Sequence, residues 1–405
     1  MKKDNSTNNQ YSFSKPTEIQ EFCLNQLKIK PLPSKQDEEW KSTDKRKLQD
    51  FLDYEYNPKF HQPQIPKGLN SQDVVRLFIG KEEKIDIKEN EWEVTELDKN
   101  TINSLIKENL TEPIDGDSWS NLFNHSLSSK NNILGINITG KNIPPLELIS
   151  NSQDEYLNAK TIVIFIDKET TVDITQINLG SKNSSLSISS YLFIGKSSLV
   201  NHGVISIGKE KSNLINTLNV LQKSGSSYSL GSLHYEFDFA RFEIKINQTQ
   251  GAAKTIIKGM QITKNSQQIS TNTKIEFNGP EGYLDQLNKS IANDKSHSIF
   301  EGIIIVPQIA QRTDAAQLSR NILLSKHAKI DTKPQLEIIA DDVKCKHGAT
   351  ISQLNEDELF YMRSRGLALE EASKLQLKSY YQEIISFIPI SKERWDLLDF
   401  LLNTN

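Results

Sequence analysis

Cysteine is nearly absent from this chain: among 405 residues only Cys23 and Cys345 occur, far apart. A disulfide framework needs more, so the expectation is an intracellular, reducing compartment. Long apolar runs are missing as well. None approaches the roughly 20 residues that a membrane-spanning helix requires. The first residues, MKKDNSTNNQYSFSK, are basic but have no apolar stretch behind them. That is not a signal-peptide pattern, and Asp4 with few arginines does not fit a transit peptide. A charge excess of one sign is missing too: 48 basic against 52 acidic residues leave a net charge of −4. This argues against a nucleic-acid binder held by a basic face. The expectation is a soluble, cytoplasmic protein that binds neither nucleic acid nor membrane.

Catalytic signatures are also lacking. No Gly-Lys-Ser/Thr follows a suitably spaced glycine, so there is no Walker phosphate loop. There is no G-x-S-x-G elbow. Gly195 and Gly208 stand in β turns without a dinucleotide fingerprint.

What is present divides into three regions. Residues 1–123 are mixed and helical. Thr17 and Gln20 form a capping-box pattern. Ile19, Phe22, Cys23 and Leu27 then share one helical face, which makes Cys23 a buried hydrophobe before a reactive thiol. The stretch Pro31 to Pro33 ends that helix. Trp40 and Phe51 flank a charged helix, and Pro58 to Pro66 reads as loop. VVRLFIGKEEKIDI reads as two strands around a Gly turn.

Residues 124–350 are rich in short β runs, among them TIVIFID, SLSIS, YLFIG, VISIG, HYEFDFARFEIKI and IIKGMQIT. In HYEFDFARFEIKI, Tyr235, Phe237 and Phe239 alternate with polar residues, as do Phe242, Ile244 and Ile246. Period-2 alternation buries one face of a strand. Frequent short strands without helices between them specify a sandwich, a barrel or a β-solenoid. No clean repeat length emerges. Apolar, β-branched runs and Asn/Ser-rich junctions, which tolerate left-handed corners, lean toward the solenoid.

Residues 351–405 are helical. Asn355 caps a first helix, with Glu358 three residues on, and Gly366 ends it. A second runs from about Leu369 toward Pro389, with Leu377, Tyr381, Ile384 and Ile388 in one stripe. Ser391 caps a third, with Trp395, Leu398, Leu401 and Leu402 on one face. Three short helices have little core of their own and must dock on something.

The chemistry concentrates in LEIIADDVKCKHGAT, which starts at Leu336. Strand alternation puts Asp341, Val343, Cys345 and His347 on one face, and Asp342, Lys344 and Lys346 on the other. Residues two apart on a strand lie about 6.6–7 Å apart with parallel side chains. Cys345 and His347 therefore share a small site. Thiolate suits soft metals and sulfur chemistry, and imidazole suits iron, zinc or proton transfer. A complete tetrahedral site takes four ligands. The other cysteine lies in a distant helix, and the nearest other histidine in the sequence is His327. A site here is completed by another chain or stays open.

The block from Asp331 to Gly366 resembles the SufB/SufD family of iron–sulfur cluster assembly scaffolds, on its SufD side. The resemblance rests on DTKPQLEI (Asp331 to Ile338), DDVKCKHGAT (Asp341 to Thr350) and FYMRSRG (Phe360 to Gly366). Phe300, Gly302, Ala310 to Gln317 and Asn321 to Leu324 extend it upstream, and Glu39, Trp40 and Thr43 match near the start. Lys346 between Cys345 and His347, and Gly348-Ala349 after them, resemble SufD more than SufB. TNTKIEFNGPEG lacks the His that family members often carry there, which puts that residue's role in doubt.

The resemblance implies a mainly β fold: a right-handed β-helix with an N-terminal mixed region and a C-terminal helical annex. It implies a non-catalytic scaffold that pairs with a SufB-like subunit through the helix ends and docks a SufC-like ABC ATPase, which supplies ATP hydrolysis. His347 would act at the shared assembly site and as a metal ligand shared with the partner, with Cys345 auxiliary. Phe360, Tyr361, Arg363 and Arg365 would belong to the ATPase-docking annex, although the arginines equally fit structural salt bridges. No cofactor would be held stably by this chain alone. The iron–sulfur cluster would be transient in the complex, and a homodimer could form in isolation. Two alternatives stay open: a SufB-like subunit carrying the nascent cluster on Cys345, and a β-solenoid polysaccharide enzyme. The adjacent Asp341 and Asp342 point to opposite faces, a poor start for the latter.

Overall fold

The computed structural model describes residues 17–30, 32–34, 36–70, 73–82, 84–89, 91–110, 119–127 and 132–404. Pro31 lies outside them. The N-terminal elements are α1 (Glu18–Ile29), α2 (Lys45–Leu52), β1 (Glu55–Tyr56), β2 (Val75–Phe78), β3 (Asp86–Glu89), β4 (Trp92–Glu96), α3 (Lys99–Leu110) and α4 (Trp119–Leu127). The capping box forms as expected: Thr17 accepts from the Gln20 N–H while the Gln20 side chain accepts from the Thr17 N–H. Cys23 is fully buried. Phe22, expected on the same buried face, is exposed, and Gln20 is buried in its place because the cap turns it inward.

Sixteen strands follow. They are β5 (Ile133–Gly140), β6 (Leu146–Asn151), β7 (Tyr156–Ile166), β8 (Thr171–Leu179), β9 (Ser184–Ile194), β10 (Leu199–Ile207), β11 (Ser212–Gln222) and β12 (Ser227–Tyr235). Then come β13 (Phe239–Gln248), β14 (Lys254–Thr263), β15 (Gln268–Phe277), β16 (Tyr283–Ala292), β17 (His297–Val306), β18 (Asp314–Leu323), β19 (Lys329–Ile338) and β20 (Lys344–Ser352). From β5 onward, odd and even strands separate into two sheets. One runs β19-β17-β15-β13-β11-β9-β7-β5-β4-β3, and the other runs β2-β6-β8-β10-β12-β14-β16-β18-β20. From β5 and β6 onward every pairing is parallel, so the chain winds as a β-solenoid of about eight turns. The two strands read in VVRLFIGKEEKIDI exist, but β2 joins one sheet and β3 the other, so they form no hairpin with each other.

The coil length drifts, which is why no repeat could be read. Leu199 pairs with Thr171 and Ser227, Asp314 with Tyr283, and Lys329 with His297, so successive coils differ by several residues. One corner of each coil sits in the left-handed region at Glu169, Ser197, Gly225, Ala252, Glu281 and Arg312. Each corner amide donates to the next corner, for example Ser197 N to Ser224 O and Glu281 N to Gln311 O. That stacked bonding holds the strained backbone whatever the side chain, so Asn and Ser are only some of the corner residues. A second such corner falls at Glu236. It breaks the expected alternation of Tyr235, Phe237 and Phe239 by putting the first on β12 and the last on β13, and all three are buried. Phe242, Ile244 and Ile246 do alternate inward along β13.

The main apolar core lies between the two sheets and runs from Leu77 to Ala340. The helices of the C-terminal annex, α5 (Glu356–Ser364), α6 (Leu369–Ile385) and α7 (Leu397–Thr404), follow the last coil. Tyr381, Ile384, Ile388, Trp395 and Leu401 pack with Ile177, Ile205, Leu233, Met260 and Ile262 on the outer face of the second sheet. Each such aliphatic side chain contributes roughly 1.5–3 kcal/mol on full burial. Close approach is possible because Gly203 and Gly231, neighbours across β10 and β12, lack side chains. A Cβ at either would lie 2.9 Å from an atom of Ile388 or Phe387. The third helix starts later than expected. The Ser391 carbonyl accepts from the Arg394 and Trp395 amides in a turn, and the helix begins at Leu397. Glu147, fully buried, binds Arg76 at 2.6 Å and also Arg394, tying β2, β6 and the annex together.

Candidate functional site

Both sheets end on the same coil. Among the described residues β19 pairs only with β17 and β20 only with β18, so two long parallel edges face outward together. The opposite end differs, because the antiparallel pair β3 and β4 closes the first sheet there. An open edge is a row of backbone donors and acceptors available to another strand. Apolar side chains accompany it: Ile338 is 41% exposed, Ile339 65% and Ile351 46%.

Cys345 and His347 stand on β20 in this terminal coil. Register places Cys345 over Ala315 and His347 over Gln317. Ala315 and Gln317 are buried positions of β18, so β20 turns its Cys345–His347 face toward the interior column that the coil leaves uncovered. Cys345 packs against the end of the main core with Val343 and Leu336, and His347 is exposed. The shared face of Cys345 and His347 read from the sequence therefore holds, whereas Asp341 and Asp342 lie at the exposed corner before β20 and not on the strand. Burial first, and the Asp314 carboxylate next, push the Cys345 thiol above its ordinary pKa, while the Ala315 amide pulls the other way. As folded alone, this thiol is held in its protonated form, which is neither nucleophile nor metal ligand.

A polar ladder that sequence reading missed lies beneath His347. Gln317 donates to Gln286 at 3.0 Å, and Gln286 donates to Thr273 at 2.9 Å. Gln317 Oε1 is buried with no partner. Gly302 leaves room for this side chain, because a Cβ there would lie 2.3 Å from Gln317 Nε2. Gly302 and Gln317 were both noted in the upstream match, but nothing in sequence shows that one makes space for the other.

A second cluster borders the same coil. His297 bonds Asp331 at 2.8 Å, Lys329 bonds the same oxygen at 2.6 Å, and Gln268 reaches His297 Nδ1 at 3.0 Å. Gln268 in turn accepts from the Asp44 amide and donates to the Ser42 carbonyl, joining the N-terminal region to the coil. The Gln268 donor fixes Nδ1 as acceptor, so the His297 proton sits on Nε2 and points at Asp331. Among the described residues no group of three or more His, Cys, Asp or Glu side chains is arranged to hold a metal ion.

The annex residues singled out from the sequence lie on the next element, beyond residues 353–355. Asn355 caps α5 by accepting from the Asp357 and Glu358 amides, and none of the helix residues is buried. Phe360 is 74% and Tyr361 58% exposed. Arg365 lies over the Tyr361 ring and donates to its hydroxyl at 3.0 Å. Arg363 is exposed.

Residues 148–380, more than half of the chain, match the family model described as "SUF system FeS cluster assembly, SufBD core domain". The chain belongs to the SufBD family. A "SufBD family protein" of iron–sulfur cluster assembly from Synechocystis sp. is 38% identical over 204 residues, 50% of this chain and 45% of that one. The "Iron-sulfur cluster assembly protein SufD" of Escherichia coli is 38% identical over 140 residues, covering 34% and 33%. That of Bacillus subtilis is 31% identical over 155 residues, covering 38% and 34%. The chain thus spans less than half the length of these relatives. The SufBD match covers β6 through most of α6 and takes in the terminal coil. No helix of the described residues is long and apolar enough to cross a membrane.

Proposed function

We propose that this SufBD-family chain is a SufD-type scaffold subunit of SUF iron–sulfur cluster assembly, working through its open coil in company with a SufB-type subunit. The observation that carries this reading is the coincidence of two unpaired edges, exposed Ile338, Ile339 and Ile351, and the pair Cys345 and His347 on one coil. A partner solenoid stacked there would satisfy both edges by strand addition and cover the isoleucines. It would also close the site over His347.

On this reading iron and sulfide are cargo, and the chain supplies half a site. His347, exposed, offers imidazole nitrogen as ligand or proton carrier. The Cys345 thiol is auxiliary, since its own surroundings favour the protonated form until a metal or a cationic partner group displaces the proton. The three-part division into residues 1–123, 124–350 and 351–405 gives the annex its role. α5, with Phe360, Tyr361, Arg363 and Arg365, would receive a SufC-type ATPase, and ATP hydrolysis would belong to that partner. The SufB-like alternative, with the cluster on Cys345 itself, is disfavoured by the raised thiol. The polysaccharide alternative gains nothing from Asp341 and Asp342, both exposed at the corner before β20.

Co-expression with SufB-type and SufC-type chains of the same source tests this. His347→Ala is expected to co-purify normally and to lower cluster formation about tenfold or more. Unchanged cluster formation overturns the role of His347. Failure of the wild-type chain to co-purify with either partner overturns the scaffold reading.

A further inference from the structure

A cleft of about 260 Å³ opens on the outer face of the first sheet, away from Cys345 and His347. Its floor is one row across four neighbouring strands: Glu243, Asn272, Glu301 and Lys333 are in register on β13, β15, β17 and β19. Parallel neighbours stand about 4.8 Å apart, so these four residues form one continuous row. Glu243 is 5% exposed. Its Oε1 accepts from Arg241 at 2.5 Å and Ser120 at 2.9 Å, but its Oε2 is buried without a partner. Asn272 spends its amide on Glu301 at 3.0 Å, and its own Oδ1 is likewise buried and unpartnered.

Two adjacent acceptors, one on a carboxylate, therefore lack donors at the floor of an open cleft. The nearby cations are committed elsewhere. Arg241 also donates to the Glu39 carbonyl and lies 3.9 Å from the Trp40 ring, Lys333 pairs with Glu38, and Lys245 and Lys274 have partners of their own. Burial pushes the Glu301 carboxyl up, and Arg241 and Lys333 only partly offset it. The unpartnered acceptors at the floor repel an anion. The described residues hold no metal-ligating cluster. A ligand carrying several N–H donors and a positive charge matches such acceptors, and charge-assisted bonds are the strong ones.

We propose that this cleft receives one protonated nitrogen group, an ammonium or a guanidinium, carried by a small amine or by a Lys or Arg side chain of another protein. This proposal does not rest on the scaffold reading, although Lys333 at one end of the row lies on β19 of the open coil.

The test is calorimetric titration of the full chain with n-butylammonium, with ethylguanidinium and with the blocked peptide Gly-Arg-Gly, each as chloride against a sodium chloride control. Saturable one-to-one binding near 1 mM is expected for at least one probe. Glu243→Gln, and separately Glu301→Gln, should weaken it about tenfold or more, with Glu93→Gln, outside the cleft, unchanged. Binding of the free amines but not the peptide assigns a small-molecule ligand, and the reverse assigns a partner side chain. The proposal is overturned if no probe saturates, if neutral butyramide binds as well as butylammonium, or if both cleft variants, folded by circular dichroism, bind like wild type.

Discussion

Mild acid should weaken this protein strongly, because three histidines are sealed inside it. His125, His202 and His234 are each about 1–2% exposed or less, and burial drives each down to a pKa of about 3. His234 stacks on Phe242 with ring centroids 3.3 Å apart, and neither of its nitrogens has a partner. In the unfolded chain such rings take up protons as pH falls through about 6.5, whereas the folded rings wait until about 3. The unfolded state then binds more protons, so stability is full above about pH 6.5 and falls as pH drops toward 3. At pH 5 each ring lies about 1.5 units below its unfolded value, a loss of about 2 kcal/mol. Three rings give about 6 kcal/mol, comparable to the 5–15 kcal/mol net stability of typical domains. Lys160, lowered to about 8 by burial, stays mostly charged across this window, and the raised Glu301 carboxyl acts in the opposite direction. Urea unfolding followed by far-ultraviolet circular dichroism at pH 7.5 and 5.0 measures the difference. His234→Leu should remove about a third of it. A difference under about 1 kcal/mol, or one untouched by His234→Leu, refutes the reasoning.

Arg394→Met leaves fully buried Glu147 with Arg76 as its one remaining charged partner among the described residues, so a loss of about 3–5 kcal/mol is expected in the same urea assay. Gly302→Ala drives a methyl into Gln317 and should cost about 1–3 kcal/mol, with faster amide exchange in β18 and β20 than in β10 and β12. Ile339→Asp, at a side chain 65% exposed, should leave the melting temperature of the isolated chain within about 2 °C and abolish any pairing through the open coil, as read by analytical ultracentrifugation.

Local signals were legible in the sequence where a single element decides them. The Thr17 and Asn355 caps, the inward run Phe242, Ile244, Ile246 and the shared face of Cys345 and His347 all depend on neighbours within four residues. What failed depends on stacking. The corners at Glu169, Ser197, Gly225, Ala252, Glu281 and Arg312 occupy one conformation with five kinds of residue, since the bond to the adjacent coil holds them there. With no one residue type at every corner and with uneven spacing, the repeat leaves no trace. Phe22 and Gln20 exchanged places because a cap outweighed an apolar stripe. The Gln317 ladder and the Glu243 row join residues 13 to 32 positions apart, and their polar side chains look like surface until the coils are stacked.

In a stacked array each coil draws its stability from its own bonds and from the coils on either side. The coil of β19 and β20 has a neighbour on one side only, so it is the first to fray. The thiol and imidazole it carries are therefore only as well placed as that coil is ordered. Anything that stacks on the two edges supplies the missing neighbour, tightens the strands and sharpens the positions of Cys345 and His347 in one event. Geometry at this end is a function of occupancy, and the hydrogen-exchange rates of residues 329–352 would report how much of the population has been completed.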